Sequence, residues 1–68
     1  MSSNSRTGKN IKKLRSKLGF TQEDLAKKAD VKYTTLTKIE SGVIKQPGVE
    51  VAAKIAKTLN VSIEDLLK

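Results

Sequence analysis

Cysteine and histidine are both absent from this sequence of 68 residues. Without cysteine the chain has neither a disulfide nor a thiolate metal site, and without histidine it lacks the commonest metal ligand and the usual general base. Only seven side chains are carboxylates, and most of them stand at predicted helix starts, where they form no catalytic constellation. We therefore expect no enzyme activity, no metal, no cofactor and no small-molecule ligand.

Long apolar runs are missing too, because no stretch approaches the ~18 residues that a membrane-spanning helix needs. Residues 1–7 are polar and lack the apolar stretch of a signal peptide, so we predict a flexible arm there, followed by one domain over residues 8–68. A core this small supplies roughly 3–5 kcal/mol of net stability, so the fold must rest on close helix packing. We expect a cytoplasmic protein that does not bind a membrane.

Basic residues are present in excess and are unevenly placed. Residues 1–45 hold 11 basic and 4 acidic side chains, whereas residues 46–68 hold 3 of each. The whole net charge of +7 therefore belongs to the first two thirds of the chain. Such one-sided charge is typical of a polyanion-binding domain, although lysines that only keep a small domain soluble produce the same composition.

Apolar residues recur at helical spacing and predict five helices, over about 8–18, 22–29, 32–41, 48–59 and 63–67. The first helix has one apolar face, formed by Ile11, Leu14 and Leu18. The fourth has another, formed by Val49, Ala52, Ile55, Ala56 and Leu59. With no strand pattern and short connections, the sequence predicts an all-α fold, a compact five-helix bundle.

Turn-forming and capping residues mark the helix ends. Thr21 and Ser62 are the expected N-caps, each answered three residues later by an aspartate. Four residues that tolerate left-handed backbone are the expected helix stops: Gly19, Asp30, Gly42 and Asn60.

The second and third predicted helices are short and are joined by a tight turn at Asp30 and Val31. Two such helices crossing at about 90–120° form a helix-turn-helix, in which the small Ala26 would lie at the crossing and Val31 at the corner. An ordinary helical hairpin has the same spacing, so spacing alone leaves both interpretations open.

Several stretches resemble the Cro/cI-type helix-turn-helix family, also called the XRE family, which includes the lambdoid phage repressors and their bacterial relatives. They are IKKLR at 11–15, TQEDLA at 21–26, DV at 30–31, LTKIESG at 36–42 and the tail 55–67. The loop Lys45-Gln46-Pro47 resembles that of the phage 434 type of repressor. The resemblance implies the lambda-repressor-like DNA-binding fold, with a helix-turn-helix at helices 2 and 3, in a protein encoded by a bacterium or a phage.

The resemblance further implies that the third helix, residues 32–41, enters the major groove with its N-terminal end first. The outward side chains that would read bases are Tyr33, Thr34, Thr37 and Lys38. Lys38 can donate to guanine O6 and N7, and the threonines can bond to base edges or touch a thymine methyl. A solvated helix face is the alternative, and for Thr37 both interpretations stay open.

Contacts to the DNA backbone are implied at four more positions: Gln22, Lys32, Ser41 and Lys45. Gln22 opens the second helix, where a long polar side chain and free backbone N–H groups both face an anion. Lys32 stands where relatives commonly have a serine cap, and Asp30 stands where they usually have glycine. These two departures leave the role of Lys32 open.

An arginine of the first helix pairs in relatives with the glutamate near the end of the recognition helix; here these are Arg15 and Glu40. We expect a partly buried bidentate ion pair that holds the first helix against the third. An exposed pair of negligible effect is the alternative.

The function that follows is a sequence-specific transcriptional regulator, a repressor by resemblance, that binds a double-stranded DNA operator as a homodimer. Dimer contacts are expected in the C-terminal region, where Ile63, Leu66 and Leu67 supply more apolar residues than a short terminal helix needs, unless they belong to the core. An antitoxin-like module that chiefly binds a partner protein is the alternative, and the basic charge of the helix-turn-helix side argues against it.

Overall fold

Five α-helices follow one another in the computed structural model, which describes residues 6–68. They are α1 (Arg6–Lys17), α2 (Gln22–Ala29), α3 (Tyr33–Ser41), α4 (Val49–Leu59) and α5 (Ile63–Leu67). The part of the chain that is described contains no strand. The predicted all-α five-helix architecture is therefore confirmed. No helix within residues 6–68 is long and apolar enough to cross a membrane.

Capping boxes begin α2 and α5 as predicted. At α2 the Asp24 N–H donates to the Thr21 hydroxyl at 3.0 Å, and the Thr21 N–H donates to the Asp24 carboxylate at 3.1 Å. Ser62 and Asp65 repeat this exchange at 3.1 and 3.2 Å. In each box the backbone N–H of the cap residue, and then its hydroxyl, lowers the pKa of the aspartate. Each box satisfies two N–H groups that the helix itself leaves free.

Left-handed residues end three of the helices. Asp30 has φ 60° and ψ 45°, Asn60 has φ 61° and ψ 44°, and Gly42 has φ 90°. After Asp30 the chain turns back at once, because the N–H of Val31 donates to the Ala26 carbonyl at 3.0 Å. This hydrogen bond closes the turn between α2 and α3 at the C-terminus of α2.

All five helices contribute side chains to one core. Its six largest completely buried residues are Ile11, Leu25, Leu36, Ile39, Ile55 and Leu66. Phe20, Val31 and Val61, each beside a turn, pack against this cluster. Burial of roughly 1.5–3 kcal/mol per large apolar side chain holds together helices that are too short to be stable alone.

Two apolar residues assigned to inward faces are exposed, so those assignments were wrong. Leu18 is 51% exposed because α1 ends at Lys17 and the chain reverses at Gly19, whose φ is 80°; Phe20 then packs against the core. Val49 is 78% exposed at the first residue of α4, and Val51 packs against the core from that turn.

The first helix also begins earlier than the predicted Gly8, at Arg6. Residues 1–5 of the predicted arm lie outside the described residues, whereas Arg6 and Thr7 form the first turn of α1, with Thr7 buried. Gly8 is buried against α3, and a Cβ built there would overlap the Ile39 carbonyl oxygen. This close approach of two backbones explains a glycine inside the helix.

Candidate nucleic-acid interface

The α2–α3 pair is held by small and apolar contacts at its corner. Ala26 of α2 is only 4% exposed, and Val31 in the turn packs against the core, as do Leu36 and Ile39 on the inner side of α3. With its inner side buried, α3 presents its opposite side to solvent. The geometry is that of a helix-turn-helix with an open outer face.

Polar side chains cover this outer face. Tyr33 is 47% exposed, and Thr34 and Lys38 are exposed as well. Thr37 is only half-buried, and its hydroxyl already donates to the Thr34 carbonyl at 2.9 Å. The structure places all four predicted base-reading residues on one helix, whose length is about 12 Å.

The N-terminus of α3 has no side-chain cap. Lys32 occupies the N-cap position with extended backbone, φ −69° and ψ 139°, and its side chain accepts no hydrogen bond. The first N–H groups of α3 therefore lack a side-chain acceptor, and the helix dipole adds partial positive charge at the same end. Together with the exposed Lys32 ammonium, this end of α3 suits an anion.

Beneath the outer face, one carboxylate joins three helices. Arg15 of α1 donates from Nε to Glu40 Oε2 at 2.8 Å and from a terminal nitrogen to Glu40 Oε1 at 3.1 Å. The side chains of Arg15 and Glu40 are only 13% and 3% exposed. Gln22 of α2 donates its amide to the same Glu40 Oε1 at 3.0 Å. A third nitrogen of Arg15 donates to the Phe20 carbonyl at 2.8 Å, which ties in the turn before α2.

The position of Gln22 follows from this network. Its amide is directed to the last turn of α3 by Glu40, and the side chain is half-buried. Because a carboxamide has two N–H donors and a carbonyl oxygen, one donor remains free for a phosphate. The sequence did not predict the hydrogen bond between Gln22 and Glu40. The two residues are 18 positions apart, so no pattern of neighbouring residues indicates it.

Ser41 and Lys45 lie at the C-terminal end of α3. The Ser41 hydroxyl donates to the Lys38 carbonyl at 3.2 Å, and Lys45 is exposed in the loop after Gly42. The Ile44 N–H donates to the same Lys38 carbonyl at 3.0 Å, which holds the start of this loop against α3. Lys32 is at the opposite end of the helix. The predicted phosphate-binding residues therefore stand at both ends of α3 and do not form one cluster.

Comparison with known proteins supports this geometry. The helix-turn-helix family profile matches residues 11–66, which is most of the chain. An uncharacterized HTH-type transcriptional regulator of Archaeoglobus fulgidus is 45% identical over 56 residues, which cover 82% of this chain and 79% of that protein.

Two solved structures are similar throughout. SinR, an HTH-type transcriptional regulator of Bacillus subtilis, was solved as the master regulator for biofilm formation in complex with DNA. It superposes with a TM-score of 0.88 at 32% identity over 91% of this chain and 98% of that one. The restriction-modification controller protein C.AhdI of Aeromonas hydrophila has a TM-score of 0.88 at 21% identity, covering 97% and 98% of the two chains, and shows the shared fold.

Proposed function

Because this chain belongs to the XRE-type helix-turn-helix family, we propose that it is a sequence-specific DNA-binding transcriptional regulator. It reads the major groove of a double-stranded operator with α3 and acts as a repressor, since a domain seated in the groove blocks other proteins from the same DNA. The observation that carries the proposal is the outer face of α3, where Tyr33, Thr34 and Lys38 are exposed on a helix whose inner side is buried.

Base recognition and phosphate binding are assigned to different residues. Tyr33, Thr34, Thr37 and Lys38 contact base edges, as expected for the N-terminal part of a recognition helix. Phosphates are bound by Gln22, Lys32, Ser41 and Lys45, which stand around both ends of α3 and set the position of the helix in the groove. Arg15 and Glu40 hold α1, α2 and α3 in one arrangement, so that Gln22 and the reading side chains meet the same duplex.

A dimer follows from the size of the reading surface. One domain of this size contacts too few base pairs for tight specific binding, so two copies should bind half-sites about 34 Å apart. Leu67 at the end of α5 is 51% exposed, and Ile63 is half-buried beside the core. We assign the dimer contact to this C-terminal region. Leu66 is completely buried and belongs to the core.

The test begins with selection of bound sites from random DNA, which yields the operator and its half-site spacing. Lys38→Ala should then change which bases are accepted at one operator position, at a cost of about 1–3 kcal/mol there. Lys45→Ala, the matched control, should weaken binding to the operator and to a scrambled duplex about equally. It should also reduce the slope of log affinity against log salt concentration by about one, as expected for one lost phosphate contact. Equal loss on both duplexes for Lys38→Ala would exclude α3 as the reader.

The dimer is tested separately by sedimentation on the selected operator. Wild-type protein should bind two copies per operator, and Leu67→Ser should bind the two half-sites with reduced cooperativity while each half-site affinity is kept. The exposed Val43, in the loop after α3, is the matched control, and Val43→Ser should leave cooperativity unchanged. Selected sites with a single half-site bound by one copy would contradict the dimer.

A further inference from the structure

The outward side of α1 carries five cations and no anion. The helix sequence RTGKNIKKLRSK contains six basic residues and no acidic one, and Arg15 is the member engaged by Glu40. The remaining five are all exposed, and we call them the α1 basic stripe: Arg6, Lys9, Lys12, Lys13 and Lys17. At about 100° per residue they fall within one sector of the helix, opposite the completely buried Ile11.

The stripe is costly to the helix that carries it. Residues three and four apart on a helix are neighbours, so like charges repel at Arg6–Lys9, Lys9–Lys13 and Lys13–Lys17. Arg6 and Lys9 lie near the N-terminus of α1, where the helix dipole disfavours cations, and the first turn holds no acidic residue. Folding alone gives no reason for this arrangement.

No carboxylate neutralises the stripe within residues 6–68. The ion pairs there are Arg15–Glu40, Lys54–Asp30 and Lys68–Asp65, and none includes a member of the stripe. The five uncompensated positive charges on this face of α1 are a large share of the net charge of +7 of the whole chain. The positive potential is therefore concentrated on a surface for which the proposed recognition of an operator provides no use.

The stripe also faces away from the proposed reading surface. Gly8 and Arg15 of α1 contact Ile39 and Glu40, which lie on the inner side of α3. Arg6, Lys9, Lys13 and Lys17 project from the other side of α1, and Lys12 lies between the two sides. The reading side chains project from the outer side of α3. Because duplex DNA is stiff over about 150 base pairs, a straight operator seated on α3 does not wrap around α1 to follow the length of the stripe.

We propose that the α1 basic stripe binds the phosphate backbone of a second DNA segment, so that the protein bridges two duplexes. The stripe is about 16 Å long from Arg6 to Lys17, which matches roughly five base pairs along a duplex. Flexible lysines that carry point charges suit phosphates without reading sequence. The inference rests on the proposed function in one respect, since the first duplex is held by the recognition face.

The experiment immobilises a palindromic operator, saturates both half-sites with protein, and then adds a labelled duplex of unrelated sequence. Wild-type protein should capture the labelled duplex. Lys9→Gln/Lys13→Gln/Lys17→Gln should capture at least about tenfold less labelled duplex than the wild type. The slope of log affinity for that duplex against log salt concentration should be smaller by about 2–3, as expected for three lost phosphate contacts. Because these side chains are exposed, the variant should keep its circular dichroism spectrum and its affinity for the operator alone.

The matched control removes the same three charges elsewhere. Lys27, Lys28 and Lys57 are exposed on α2 and α4 and belong to no ion pair within residues 6–68, and Lys27→Gln/Lys28→Gln/Lys57→Gln should capture the second duplex as the wild type does. Equal losses in both triple variants would reduce the effect to general charge and overturn the proposal. Capture of polyglutamate as strongly as of duplex would overturn it as well.

The two proposals fail in different ways. Protein that holds the operator but captures no second duplex overturns the bridging proposal alone. Protein that selects no operator, yet binds unrelated duplex through the stripe, overturns only the proposed recognition by α3. Loss of both kinds of binding contradicts both.

Discussion

Replacing Glu40 by glutamine tests the ion pair that joins the first three helices. Glu40→Gln keeps the size and shape of the side chain, but it removes the charge and turns one acceptor into a donor. In the wild type both oxygens of Glu40 accept, from Arg15 and from Gln22. In the variant at least one N–H group must face another N–H group, and the Arg15 guanidinium loses its counterion.

The expected loss is large for a domain of this size. Removing one partner of a buried pair typically costs about 3–5 kcal/mol, because the other charge is left uncompensated. That range applies because the two side chains are only 13% and 3% exposed. Total stabilities of roughly 0.05–0.15 kcal/mol per residue correspond to about 3–10 kcal/mol here, so Glu40→Gln should be close to unfolding.

The assay is urea unfolding followed by circular dichroism, with stability obtained by linear extrapolation. Arg15→Met should also be strongly destabilised, because it leaves the buried Glu40 carboxylate with only the Gln22 amide as a partner. The double variant Arg15→Met/Glu40→Leu should lose less than the sum of the single changes, since an apolar pair of similar volume replaces an ion pair at little cost.

Lys54→Met is the control for an ion pair in solvent. Lys54 lies 3.9 Å from Asp30, and the two side chains are 41% and 96% exposed. Such a pair is worth about 0–1 kcal/mol. If Glu40→Gln remained within about 1 kcal/mol of the wild type, as Lys54→Met should, our reasoning about the buried network would be refuted.

Two further predictions concern the helix contacts and the caps. Gly8→Ala should lower stability by about 1–3 kcal/mol in urea unfolding despite alanine's better helix propensity, because the added Cβ meets the Ile39 backbone. Gly48→Ala meets no atom, so it should cost only the roughly 0.5–1 kcal/mol by which alanine is a poorer N-cap than glycine. Because the caps lower the pKa of Asp24 and Asp65, their contribution is present above the ordinary aspartate pKa and is lost as the pH falls through the lowered value. The melting temperature of Asp24→Asn/Asp65→Asn should therefore fall less than that of the wild type between about pH 5 and pH 2, and parallel curves would contradict this assignment.

The helix-turn-helix itself was predictable because its signals are local. A threonine followed three residues later by an aspartate begins α2, and an aspartate in the left-handed region ends it; both are confirmed at Thr21, Asp24 and Asp30. Capping and left-handed turns depend on hydrogen bonds between residues only a few positions apart. The spacing of apolar residues likewise identified most of the core, including Ile11, since one face of a helix must be buried.

Packing details were beyond the sequence because they depend on which neighbours cover each helix. Leu18 and Val49 continue the apolar pattern, yet one lies past the end of its helix and the other at the start, where burial is incomplete. The sequence around Gly8 predicts a helix boundary. The structure shows instead that glycine is needed there because the α3 backbone lies against it.

The sequence by itself determined the five helices, the caps, the basic charge and the family resemblance, since each depends on residue type and short-range spacing. Only the tertiary structure decided that Gln22 and Arg15 share the Glu40 carboxylate. The physical reason is that hydrogen bonds and charges act between groups that folding brings close, over separations along the chain of 18 and 25 residues in the Glu40 network.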